Sequence, residues 1–264
     1  MAGGAREGAG QTEHVWFRGN YSSWDEARAA STGYDAPDIL ERVRAATLKV
    51  LSGTAACERD SVAFERVTYS LAVLVCLLYV ATRSDNQLDL LDFGGSLGSS
   101  YWQNRHFLAH LRLRRWSVVE QPHFVDVGRA EIADEVLRFY YSIDECFAEE
   151  TPNVVLLSGV LQALREPFAL FGAVLSKRVP FVIVDRTQFF VDDLPNRITV
   201  EHVHPAIYEG SYPSWFLNLT GFRLFIAASG YRIVEEFDSW EHWVVDGHPA
   251  QNKCFLLELE HRTS

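Results

Sequence analysis

Positive charge is what this sequence has least to spare: 24 Lys and Arg stand against 35 Asp and Glu, a formal net charge of −11. Affinity for a phosphate backbone rests on clustered cations, so no nucleic acid partner is expected. The short basic run Arg112 to Arg115 reads as the solvated end of a helix, where cations meet the C-terminal carbonyls. Cysteine is sparse as well. Cys57, Cys76, Cys146 and Cys254 are scattered without a CxxC pair, which argues against a zinc site or a disulfide framework and leaves reduced thiols in a cytoplasmic protein as the simplest reading. Long apolar runs are missing too. The longest, Leu71 to Val80, falls short of the roughly 20 residues that span a bilayer and reads as a buried helix. Residues 1–14 are Gly/Ala-rich and polar with no apolar centre, as in a disordered tail and unlike a secretion signal. There is no internal repeat, and no GK[ST] follows the glycine-rich loop, so a Walker site is excluded.

What is present is core-forming residue. At 264 residues, 48% hydrophobic and 13% aromatic, the chain suits one large α/β domain with insertions. Residues 15–86 read as an N-terminal helical cap, with helices over 24–30, 36–51 and, continuously, 58–79. Residues 87–264 then alternate strands with helices, the mark of a parallel sheet covered on both faces. Strands are expected over 88–93, 116–120, 137–141, 154–158 and 181–185, with helices over 99–111, 122–133 and 160–176. Two alternating stretches, 231–237 and 254–260, close the chain as an antiparallel hairpin whose loop holds Asp246 and Gly247. The expected fold is a three-layer sandwich, α/β in class, around a mostly parallel seven-stranded sheet.

The most telling stretch is LDLLDFGGSLGSS, 88–100, where an apolar strand runs into an acid, three glycines and small hydroxyl residues before a helix. Gly94, Gly95 and Gly98 can take dihedrals closed to residues with a Cβ and bring bare amides against a ligand. A dinucleotide fingerprint would need glycine where Ser96 and Ser99 stand, so nicotinamide binding is disfavoured. An acid followed by glycines at alternate positions, as in S-adenosylmethionine-dependent methyltransferases, maps onto Asp92, Gly94, Ser96 and Gly98, with Ser96 the one departure. Some twenty residues on, the strand WSVVE ends in Glu120, where a ribose-binding acid sits in such folds; Gln121 follows it. Ser142 and Ser158 end the third and fourth strands, facing the same crevice by position.

Residues 187–221, rich in His, Tyr, Pro and Trp, are too long for an idle connection and are assigned to the substrate side. A base that takes a hydroxyl proton contributes typically about 10²- to 10⁴-fold, and histidine is suited to this near neutral pH. His202 and His204 are the candidate bases, with Asp185 as orienting partner or alternative. Arg186 is placed to clamp an anionic group on the acceptor, and Tyr208, Tyr212 and Trp215 offer faces for stacking on a ring. Packing within the protein is the alternative for each of these. Glu58, Arg59 and Asp60 form a helix-borne charged cluster within reach of the crevice, or a surface ion-pair network. Asp192 and Asp193 lack a third acid at telling spacing, so no metal site is expected.

With those residues in view, the chain resembles a family of S-adenosylmethionine-dependent methyltransferases found in bacterial surface-polysaccharide gene clusters. The resemblance runs from Trp16 onward through GNYSSW (19–24), ERDSVAF (58–64), LDFGGSLGSSYWQN (91–104), VVEQPHFV (118–125), LLSGVLQAL (156–164), IVDRT (183–187) and IYEGSYPSWF (207–216). It departs from the family at His204 and Gly210. The resemblance implies a class I, Rossmann-like fold, S-adenosylmethionine as cofactor and O-methylation of a sugar, glycolipid precursor or other small acceptor, with no nucleic acid partner and no transmembrane segment. Self-association stays open. A catalytically silent cofactor-binding or scaffold subunit is the alternative.

Overall fold

The computed structural model describes residues 16–33, 37–59, 61–67, 70–203 and 210–260. In chain order the elements are β1 (Phe17–Tyr21), α1 (Trp24–Ala29), α2 (Pro37–Leu51), β2 (Cys57–Arg59), β3 (Val62–Phe64), α3 (Leu71–Thr82), β4 (Gln87–Phe93), α4 (Ser99–Leu108), β5 (Arg112–Val119) and α5 (Pro122–Val127). They continue as β6 (Leu137–Tyr140), α6 (Ile143–Glu149), β7 (Val154–Ser158), α7 (Pro167–Ser176), β8 (Phe181–Phe190), β9 (Arg197–His202), β10 (Ser211–Phe216), α8 (Leu219–Ala228), β11 (Tyr231–Val245) and β12 (His248–Leu259).

Seven strands form the central sheet in the order β11-β12-β8-β7-β4-β5-β6. β4 to β8 pair in parallel, while β12 runs antiparallel to β8 and β11 antiparallel to β12. A parallel sheet closed by an antiparallel hairpin is the class I methyltransferase arrangement, and the sequence expectation for the fold holds. Strand order, not strand direction, reverses between β4 and β7: from β4 the chain adds β5 and β6 on one side, then returns to add β7 and β8 on the other, which places the crevice at the carboxyl ends of these two strands, where open α/β sheets bind ligands.

Both faces of the sheet are covered, which is why its strands read as near-continuous apolar runs. Leu88, Leu90, Trp116, Val118, Leu156 and Ile183 pack on one face with α2 to α5. Leu91, Val119, Val155, Leu157, Val182 and Val184 pack on the other with α6 to α8. Burying a Leu or Val side chain contributes roughly 1.5–3 kcal/mol, so these alternating positions set the register.

Several expectations need correction. The described residues of the expected 58–79 helix begin otherwise: Glu58 lies in the β2–β3 hairpin, Cys57 opposite Phe64, and α3 starts at Leu71. α3 is not buried all round, because Leu71, Val75 and Leu78 form an exposed stripe while Cys76, Leu77 and Val80 meet the core. Arg112 to Arg115 are strand, not a helix end, with Gln87 paired to Arg112. The helix expected over 160–176 starts only at Pro167, after a short 3₁₀ turn at Leu161–Ala163; proline is favoured in the first turn of a helix because its missing N–H is unneeded there.

The 187–221 segment is more ordered than a loop. β8 runs on to Phe190, and β9 and β10 join β1 in a three-stranded antiparallel sheet, β1-β9-β10. Aromatic packing welds it to the hairpin: Phe17 sits edge-on to Phe216 at 4.8 Å and to Trp243 at 5.1 Å. The hairpin is longer than expected, its strands meeting at Asp246-Gly247, both with positive φ (49° and 83°), as a two-residue primed turn requires.

Candidate active site

A cavity of about 1320 Å³ opens at the carboxyl ends of β4, β5, β7 and β8 and is roofed by β9, β10 and β11. Single small-molecule sites occupy about 300–1,000 Å³, so this one has room for two ligands side by side.

Its floor is the glycine turn. Gly94 has φ +73°, and a Cβ there would lie 2.8 Å from Val160 Cγ2; a Cβ on Gly95 would lie 2.6 Å from the Asp92 carboxyl carbon. Ser96, the departure from the alternate-glycine pattern, takes a left-handed φ of +55°. The loop therefore follows a glycine-like path despite its serine. Gly98 has another role: a Cβ on it would meet Leu137 Cδ2 at 2.9 Å, and it does not border the cavity. It lets α4 start close against β6.

Glu120 is turned towards this loop. One carboxylate oxygen accepts the Ser96 N–H at 3.3 Å and the other the Gln121 N–H at 2.7 Å. A carboxylate has about four lone-pair sites, so two remain for a ligand. Burial pushes the Glu120 carboxyl up from its ordinary range, while those two N–H groups pull it back. Asp92, at the end of β4, is 1% exposed and accepts Trp116 Nε1–H at 2.9 Å. Its pKa is pushed up to about 7, chiefly by burial, with the Glu120 charge adding to the rise. Gln121 and Ser142 complete this side, Ser142 also capping α6 by accepting Glu145 N–H at 3.1 Å.

The other half lies over β7 and β8. Ser158 Oγ donates to Asp185 at 2.7 Å. Asp185 is buried, and desolvation raises its pKa against the opposing pull of Ser158 and Arg186. Arg186 holds a left-handed φ of +50° and lies 3.9 Å from Glu241 of β11. Gly159 joins the two halves: its N–H donates to the Asp185 carbonyl at 2.9 Å, and its φ of +68° brings the backbone beneath the Arg186 side chain. Tyr212 borders the cavity from the roof.

Two expected residues are placed elsewhere. His202 does not border the cavity; its N–H donates to the Trp16 carbonyl at 2.6 Å, tying β9 to the N-terminal segment. Trp215 stacks on Trp24 at 6.2 Å and donates Nε1–H to the Leu164 carbonyl at 3.0 Å, so it supports the wall from behind. Asp60, His204 and Tyr208 lie outside the described residues. Residues not singled out from the sequence do reach the cavity: Gln162, Gln188, Glu241, Trp243 and Asn252. Glu58 arrives from the β2–β3 hairpin, accepting the Ser99 hydroxyl and the Ser61 N–H at 3.0 Å. Among the described residues, no cluster of three or more His, Cys, Asp or Glu could hold a metal ion, and no helix is long and apolar enough to cross a membrane.

No family model matches the sequence, and no curated protein is similar to it. Among solved structures, the chain is similar to the N-terminal domain of EvdMO1 crystallised with S-adenosylhomocysteine and D-fucose, at 14% identity over 86% of this chain and 97% of that one, TM-score 0.49. It is similar to a Burkholderia thailandensis 1,6-didemethyltoxoflavin N1-methyltransferase at 13% identity, 88% and 95% coverage, TM-score 0.45. A third is CalS10, an amino pentose methyltransferase from Micromonospora echinaspora, at 12% identity, 72% and 90% coverage, TM-score 0.44.

Proposed function

We propose that this protein is an S-adenosylmethionine-dependent methyltransferase that methylates an oxygen of a small acceptor, a sugar or sugar-linked molecule in polysaccharide or secondary biosynthesis. The observation that carries this reading is Glu120, whose carboxylate faces the glycine turn with lone pairs left for a diol. The residues present fit an adenosyl cofactor. The cradle at Gly94 and Gly95 is closed to a Cβ, an acid stands ready for ribose hydroxyls, and a second acid, Asp92, borders the cavity where a cationic sulfonium is to be accommodated. Glu120 would hold the ribose, Gln121 and Ser142 the base side, and Asp92, Ser96 and Ser158 the amino-acid side.

When bound, the cofactor would supply an electrophilic methyl for the acceptor oxygen and a thioether leaving group that takes the electron pair of the C–S bond. The protein's task is alignment, which can supply about 7–11 kcal/mol of the barrier. Asp185 accepts the proton lost by the hydroxyl. Its raised pKa makes it a stronger base than an ordinary carboxylate, and Ser158 fixes its orientation. The left-handed Ser96 answers one of the two grounds for the silent cofactor-binding alternative, since the serine keeps the turn's path; the other, the base, is met by Asp185 in this reading.

The test is mass spectrometry of reactions containing S-adenosylmethionine and a panel of glycosides and glycolipid precursors. An acceptor heavier by one methylene, with the methyl on oxygen, is expected. Transfer to nitrogen or carbon alone, or no turnover with any hydroxyl-bearing acceptor, contradicts the proposal.

A further inference from the structure

On the roof side of the cavity, four side chains form one connected wall. Gln162 Nε2 donates to the Arg186 carbonyl at 2.9 Å, Arg186 faces Glu241 at 3.9 Å, and Asn252 Nδ2 donates to Glu241 Oε2 at 2.6 Å. These bonds orient both amides, so Gln162 Oε1 and Asn252 Oδ1 are left as acceptors. Both oxygens are buried without a hydrogen-bond partner, as is the indole N–H of Trp243 two residues from Glu241. Asn252 is only 5% exposed, and all of these residues border the cavity.

A buried polar atom without a partner costs about 1–3 kcal/mol. With Arg186 Nε 3.9 Å from Glu241, beyond hydrogen-bond distance, this wall offers two acceptors (Gln162 Oε1 and Asn252 Oδ1) and two donors (Trp243 Nε1–H and Arg186 Nε–H) to a ligand that can both donate and accept. A hydroxyl can serve in either role, whereas a carboxylate or phosphate only accepts. Such an anion could accept from Trp243 and Arg186, but it would leave both amide oxygens unmet and would confront Glu241. The Glu241 carboxylate, 3.9 Å from Arg186 Nε, offsets the guanidinium charge that would otherwise draw an anion in. We propose that Gln162, Glu241, Trp243 and Asn252 form the subsite that recognises the acceptor as an uncharged, hydroxyl-rich ring, and that the Arg186–Glu241 pair is a neutral wall element, not an anion clamp. This inference rests on the methyltransferase reading and deepens it.

The test is calorimetry with the full-length protein saturated with S-adenosylhomocysteine, titrated with neutral methyl glycopyranosides and with their 6-carboxylate and 6-phosphate counterparts. At least one neutral glycoside is expected to bind, and its charged counterparts about tenfold or more weaker. Asn252→Leu and Gln162→Leu are each expected to weaken the neutral glycoside by about tenfold while S-adenosylhomocysteine affinity stays within about twofold. Tighter binding of a carboxylate or phosphate, unchanged glycoside affinity in both variants, or no glycoside binding by protein that does bind S-adenosylhomocysteine overturns the subsite alone. Failure of the unmodified protein to bind S-adenosylhomocysteine overturns the reading beneath it. Should Asn252→Leu not fold, Gln162→Leu, half-buried and outside the sheet, carries the test.

Discussion

Asp92 and Glu120 show how burial makes ordinary carboxylates serve a site. Asp92 holds its proton up to about pH 7 because its surroundings solvate the charge poorly. A cation placed nearby favours the ionised form, so S-adenosylmethionine binding should release a proton and tighten as pH rises through about 7. S-adenosylhomocysteine shares the α-ammonium but carries no sulfonium charge, so it should respond less. The affinity ratio of the two is expected to rise about three- to tenfold between about pH 6 and pH 8 and to stay flat in Asp92→Asn, as measured by calorimetry in buffers of different ionisation heat. A flat ratio in the unmodified protein removes Asp92 from the sulfonium's surroundings. Gly95→Ala tests the packing of the same acid. Its methyl would fall 2.6 Å from the Asp92 carboxyl carbon, so a loss of about 1–3 kcal/mol in stability and at least about tenfold in cofactor affinity is expected. A variant with unchanged melting temperature and affinity would contradict the cradle as described.

Among the elements, Trp215 separates support from contact. Its indole N–H holds the Leu164 carbonyl and its ring stacks on Trp24 of α1. Trp215→Phe deletes the hydrogen bond and keeps most of the stack, so melting should fall by roughly 2–4 °C, the shift about 1 kcal/mol produces in a chain of this size, with S-adenosylhomocysteine affinity unchanged. A stable variant with weakened ligand binding would return Trp215 to the cavity. What the sequence disclosed follows the same division. The glycine turn and Glu120 were legible because strand ends, glycines and a twenty-residue spacing are local signals. β2 and β3 were not: three-residue strands leave no period, and their apolar residues merged with the run that becomes α3. Nor was the β1-β9-β10 sheet, whose partners come from opposite ends of the chain and whose Pro213 breaks the strand pattern. Gln162, Glu241 and Asn252 escaped notice because they converge only through the pairing of β12 with β8 and β11, from positions where a polar residue looks merely exposed.

For the molecule as a whole, the central sheet supplies a rigid floor and the long hairpin with the small sheet supplies a roof, leaving one cavity with an acidic, glycine-lined half and an amide- and aromatic-lined half. On the proposed reading the first half takes the cofactor and the second the acceptor, and transfer between them requires both to be filled together. Everything in this account depends on the first. The most direct measurement is calorimetric titration of S-adenosylhomocysteine into the unmodified protein and into Glu120→Ala. Charge-assisted bonds to a carboxylate contribute about 1.5–3 kcal/mol each, so the account predicts saturable one-site binding that weakens at least about tenfold in the variant. No binding to the unmodified protein, or equal affinity in both, would contradict it.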